Sequence, residues 1–83
     1  MIMRLDKYLK VSRIVKRRTV AREFAGNERV LINGKIAKPS SKVKKGDIIT
    51  LQLGQRESVF EVLDVRDNVR AGEATNLYRI IEQ

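Results

Sequence analysis

The chain has 83 residues, 42% of them hydrophobic, enough for one thin core and too many for a disordered basic tail. It contains neither cysteine nor histidine, which excludes disulfides and thiolate zinc sites and removes the commonest general acid–base and metal ligand together. Its net charge of +8 is unevenly placed: Arg4 to Lys45 holds fourteen Lys and Arg against three acids, a surplus of +11, while Gly46 to Gln83 holds four against seven, a balance of −3.

Leu5, Tyr8, Leu9 and Ser12 recur at i, i+3, i+4 and i+7 and predict a first helix ending near Ser12–Arg13. Asp6 in its first turn suits the positive end of the helix dipole. On the other side Arg4, Lys7 and Lys10 step by three as a basic stripe. The link Ile14 to Arg18 leads to Thr19, which reads as the N-cap of a second helix over Val20 to Ala25. Arg18 is then expected just ahead of the cap with its side chain in solvent, and Gly26-Asn27 is expected to end the helix.

The period then changes to two. Arg29 to Ile32 runs into Asn33-Gly34, the strongest short hairpin signal, and Lys35 to Ala37 returns. Pro39-Ser40-Ser41 breaks the pattern, and Val43 to Asp47 turns into a strand at Ile48 to Leu53. A further strand is expected at Val59 to Val65, a polar loop from Asp67 to Thr75, and a last strand at Leu77 to Ile81. No apolar run approaches the length of a membrane span, and the basic N-terminus has no apolar stretch behind it, so the cytoplasm is the expected location.

Chemistry is hard to find in this chain. No nucleophile–base pairing shows, Asp64 and Asp67 read as solvated loop acids rather than metal ligands, and Gly34, Gly46, Gly54 and Gly72 stand singly in turns rather than in a phosphate loop. The expectation is a protein without catalysis, metal or cofactor. Tyr8, Phe24, Phe60 and Tyr78 all fall at apolar-phase positions, which assigns them to the core. Without exposed aromatics to stack on splayed bases, the basic face suits folded RNA read by backbone and shape. Arg4, Lys7, Lys10, Arg13, Lys16, Arg17, Arg18 and Arg22 cluster on the two helices and their link, opposite the apolar side. The arginine fork matches phosphate oxygens, and Thr19 adds a helix N-terminus.

Met3-Arg4-Leu5-Asp6-Lys7-Tyr8-Leu9, Ser12-Arg13, Arg18-Thr19, Ala21, Val30-Leu31-Ile32-Asn33-Gly34-Lys35 and Gly46-Asp47 together resemble the RNA-binding domain first seen in small-subunit ribosomal protein S-four. The resemblance covers residues 3 to 53 and implies an α+β fold. Two short N-terminal helices would pack on a β-hairpin and a small antiparallel sheet, the alpha-L motif, in one domain of residues 1–83 whose strands from 54 to 83 complete the sheet. Lys16-Arg17-Arg18-Thr19 between the helices and Glu73 to Tyr78 near the end make the chain similar to the family of bacterial ribosome-associated quality-control protein P (RqcP).

That resemblance implies binding to large-subunit rRNA and P-site peptidyl-tRNA on obstructed large subunits, and work alongside RqcH during alanine tailing of stalled chains. By itself the protein would be a monomer. Arg4 and Arg18 would be the principal RNA contacts, with Lys7, Arg13, Lys16, Arg17 and Arg22 in support; Lys10, Thr19 and Lys35 are expected to belong to the same RNA-binding surface. One position departs from the family pattern: the slot before Arg29, usually glycine, holds Glu28, so no RNA role is carried over to Arg29. Two alternatives stay open. One is a heat-shock-type rescue or assembly factor for large-subunit rRNA, in a family with a basic C-terminal extension. The other is the RNA-binding appendage of an RNA-modifying enzyme.

Overall fold

The spacing of Leu5, Tyr8 and Leu9 is realised as α1 (Leu5–Val11), with all three side chains fully buried. A computed structural model describes residues 2–67 and 69–82. Ahead of α1, Met3–Arg4 forms a two-residue strand, β1, antiparallel to β4 (Lys42–Val43). Two N–H groups at the start of α1 are satisfied from that same segment: Leu5 donates to the Ser41 carbonyl at 2.8 Å and Asp6 to the Pro39 carbonyl at 3.1 Å. No periodicity announces this bridge, because two residues are too few to show one.

The second helix, α2 (Arg18–Gly26), starts two residues before the expected position. Arg17 is the extended N-cap residue, its carbonyl accepting from the Ala21 N–H at 3.1 Å, and it makes no side-chain cap bond. Thr19 therefore lies inside the first turn. The shift puts Arg18 within the helix, one turn from Arg22, where both can face α1.

The exit of α2 also differs from expectation. Gly26 is its last helical residue and Asn27 its C-cap, with φ −97, so neither takes the left-handed conformation. Glu28 takes it instead, at φ 61. The Glu28 N–H donates to the Ala25 carbonyl at 3.2 Å and the Arg29 N–H to the Phe24 carbonyl at 3.0 Å, the paired bonds of a Schellman ending. A side chain in that slot explains why glycine suits it better.

All strands pair antiparallel. The larger sheet has the order β3-β2-β5-β6-β7, built from β2 (Val30–Ile32), β3 (Lys35–Ile36), β5 (Ile48–Leu53), β6 (Arg56–Val62) and β7 (Tyr78–Glu82). Asn33 and Gly34 have φ of 53 and 82 between β2 and β3, the positive pair that a type I′ hairpin turn requires. The Asn33 side chain also accepts the Ile48 N–H at 2.9 Å and donates to the buried Asp47 at 3.1 Å, tying this turn to the start of β5.

β6 begins three residues before the expected strand and ends three before it. Leu53 pairs with Arg56 across a two-residue turn whose first residue, Gly54, has φ 65, so the hairpin closes at once. In place of the expected polar loop, Ala71–Leu77 winds as a 3-10 helix. Ala74 and Leu77, three apart, are both buried, as three residues per turn dictates.

The core lies between the helix pair and the inner face of the sheet. It joins Leu5, Tyr8, Leu9, Ala21 and Ala25 to Val30, Ile49, Leu51, Phe60, Val62, Val65 and Leu77. Tyr8 donates its hydroxyl to the Leu77 carbonyl at 2.8 Å, and Phe60 meets Tyr78 edge to face at 5.4 Å between ring centres. Phe24 and Tyr78 are only half-buried at the rim of this core.

Candidate nucleic-acid interface

Helical geometry brings one carboxylate to the seam between α1 and α2. Asp6 lies in the first turn of α1 with its side chain fully buried, and Arg4 just ahead of it donates Nε to Oδ1 at 3.2 Å and Nη2 to Oδ2 at 3.1 Å. From α2, Arg18 brings Nη2 to within 3.4 Å of Oδ1, and Arg22, one turn on, holds Nε 3.7 Å from Oδ2. The Lys7 N–H completes the shell at 2.8 Å from Oδ1.

Burial by itself would raise the pKa of this carboxyl. The hydrogen bond from Arg4, the charge of Arg18 and the Lys7 N–H outweigh that and hold it below the ordinary aspartate value. Asp6 is thus an anion at neutral pH. Arg18 is not free in solvent as expected: its side chain is 42% exposed, with one edge turned in to Asp6. Arg4 and Arg22 are 45% and 59% exposed. Each guanidinium has five N–H donors, so those not used on Asp6 remain available outside.

A second basic group lies beyond the end of α1, where Lys10, Arg13 and Lys16 line a shallow hollow of about 350 Å³. Arg13 occupies the left-handed conformation at φ 62, and its N–H donates to the Lys10 carbonyl at 3.0 Å. That backbone turn brings the side chains of the helix end and the link to one place. Arg17 and Thr19 are exposed at the start of α2. Among the described residues, Lys10, Arg13, Lys16 and Arg17 form no ion pair.

Two expected site residues stand apart. Lys7 reaches across to Asp67 at 2.9 Å, and Lys35 lies on β3, an edge strand paired only with β2. Asp64 is held by Arg66 at 2.7 Å, and Arg79 pairs with Glu61 across β6 and β7. No group of three or more acids gathers among the described residues. The residue that sequence reasoning missed is Asp6, two of whose three arginine partners lie twelve and sixteen positions away. Its signal was available: it is one of only three acids in a segment with a surplus of +11.

The S4 domain family model matches residues 3–49, which contain Asp6, all three of its arginines and the β2–β3 hairpin. The RQC P-site tRNA stabilizing factor of Bacillus subtilis is 48% identical over 98% of this chain and 94% of its own length. Heat shock protein 15 of Escherichia coli is 38% identical over 92% of the chain, which spans only 58% of that relative. The solved structure of Heat Shock Protein 15 from Vibrio cholerae superposes with a TM-score of 0.86 at 40% identity, covering 96% of this chain and 82% of that one.

Proposed function

Because the chain belongs to the family of RQC P-site tRNA stabilizing factors, within the S4-domain proteins, we propose that it stabilises peptidyl-tRNA in the P site of obstructed large ribosomal subunits. The observation that carries this reading is the near full-length match to the Bacillus subtilis factor, 98% of one chain against 94% of the other. The protein works by binding large-subunit rRNA and tRNA together, without chemistry of its own, while alanine tails are added to stalled chains. It acts in the cytoplasm as a monomer that joins the subunit beside RqcH, as one RNA-binding unit over residues 1–83.

Its helical face meets RNA. Arg4 and Arg18 are the principal contacts, supported by Arg22, Lys7, Thr19 and the group Lys10, Arg13, Lys16 and Arg17, with Lys35 contributing from the hairpin edge. The C-terminal half, at −3, is repelled by phosphate and faces solvent or protein. The structural likeness to Heat Shock Protein 15 supports a second reading, rescue or assembly through large-subunit rRNA.

Alanine tailing separates the two. The proposed function requires the protein to travel with free large subunits carrying peptidyl-tRNA, and cells lacking it to lose alanine tails on stalled chains. Unchanged tails would remove the quality-control role. Reversing both Arg4 and Arg18 to glutamate would crowd acids around buried Asp6 and disturb the fold. The cleaner probe is Arg4→Gln with Arg18→Gln, which should release the protein from the subunit.

A further inference from the structure

We infer that Asp6 is the positioning residue that sets the RNA specificity of this surface: its buried carboxylate fixes the spacing of Arg4, Arg18 and Arg22, so that folded RNA with matching phosphates is preferred to other polyanions. The inference rests on the RNA-binding function proposed above.

Net stability alone does not account for this acid: its partners are 42–59% exposed, so each pair contributes little, and what Asp6 gains from them is largely offset by the cost of burying a carboxylate. Attraction to phosphate does not account for it either, because it cancels one of the three positive charges around it. Asp6 supplies direction instead. It receives two N–H donors from one edge of Arg4 and one donor from Arg18, on two different structural segments, with Arg22 beside them. Three long side chains are thereby ordered before any RNA arrives, and their remaining donors point outward at fixed separations. Lys10, Arg13, Lys16 and Arg17, with no acid partner among the described residues, form the contrasting case of unrestrained charge. The surface thus divides into a shaped part and a purely attractive part.

Asp6→Asn gives opposite signs for the two explanations of binding. It preserves the shape and the acceptor for the Lys7 N–H, and raises the net charge from +8 to +9. Affinity for a tRNA and for poly(U) of matching length should be measured at one fixed salt concentration. The expected result is a loss of about tenfold for the tRNA, the effect of ordering two or three side chains on binding rather than before it, with poly(U) bound equally or more tightly. A rise in affinity for both, as added charge alone would produce, overturns the inference, and so does an unchanged preference for tRNA. A wild-type protein with no preference for tRNA would instead remove the proposed function on which the inference rests.

If Asp6→Asn does not fold at the assay temperature, nitrogen relaxation of the arginine Nε–H groups in the free wild-type protein decides the matter. Arg4 should be restrained and Arg17 freely rotating. Equal mobility overturns the inference.

Discussion

Arg18 reaches Asp6 across the helix seam at 3.4 Å, so a residue expected to point into solvent has one edge anchored and the other presented. Arg18→Ala should therefore affect two properties unequally. The anchored edge is part of a half-exposed pair worth about 0–1 kcal/mol, and Asp6 keeps Arg4 and Arg22. The presented edge accounts for one charged RNA contact, about 1.5–3 kcal/mol, or more than tenfold in affinity. RNA titration and a thermal melt of the same sample separate the two. A large drop in melting temperature with RNA affinity intact would make Arg18 a purely structural residue.

RNA binding should weaken steeply with salt. If the helical face neutralises about five to seven phosphates, the log–log slope of affinity for duplex-like RNA is roughly −4 to −6. A slope near zero with tight binding would transfer the affinity to stacking or protein contacts.

Glu28 holds the left-handed position that ends α2, at φ 61, a conformation costing a non-glycine residue about 1–2 kcal/mol. After the extra backbone freedom of glycine in the unfolded chain is subtracted, Glu28→Gly should stabilise by about 0.5–1 kcal/mol. The melting temperature of so small a domain should rise by a few degrees. Glu28→Gln is the control: it removes the charge but keeps the strain, and should show no such rise.

Stability should also fall in acid, in part through Asp6. Its folded carboxyl titrates below the ordinary aspartate value, so near and below that pH the unfolded chain takes up the proton more readily. The contribution is complete above the unfolded value and is lost as pH falls from about 4 through the folded one. Urea melts from pH 7 down to 3 should show a shallower decline in Asp6→Asn. Some decline persists, because Asp64 is likewise lowered by its hydrogen bonds from Arg66 and the Val65 N–H.

Tyr8→Phe tests the buried hydrogen bond from α1 to the C-terminal segment. Burial pushes the phenol up, so the hydroxyl remains a donor throughout the accessible pH range. Its acceptor, the Leu77 carbonyl, also receives the Leu63 N–H at 2.9 Å and would not be orphaned. The expected cost is about 0.5–1.5 kcal/mol by denaturant melting. A cost several times larger would mean that the ring itself had shifted in the core.

What was legible in the sequence was what is decided locally. Asn33-Gly34 dictates its own turn, the run Ile48 to Leu53 became a strand with those bounds, and the spacing of Leu5, Tyr8 and Leu9 gave the buried face of α1. Features decided by distant partners were hidden. The β1–β4 bridge depends on pairing Met3 with Val43. β6 was expected to start late because Arg56 and Glu57, next to the turn of its hairpin, carry no apolar alternation. At α2 the strong capping preference of Thr19 misled, since the helix begins where Arg18 can join Asp6. The basic members of the candidate site could be named one by one, but their division into an organised group and a loose one depends on a contact between helices. Phe24 was read as core and is half-buried at its rim, so Phe24→Ala should cost less than the 3–5 kcal/mol of a fully enclosed ring.

The bond between Tyr8 and Leu77 bears on how such a domain could be transplanted. The family pattern stops at residue 49, yet Tyr8 rests among Phe60, Val62, Val65 and Leu77 in one core. A graft of the pattern alone would carry the arginines to a new host with the underside of their helix uncovered. Any larger protein that houses this motif has to furnish its own lining beneath α1, so the host's architecture sets the tilt at which the arginines are offered. Recognition and foldability have different boundaries in this chain, and the portion that identifies the family is the shorter of the two.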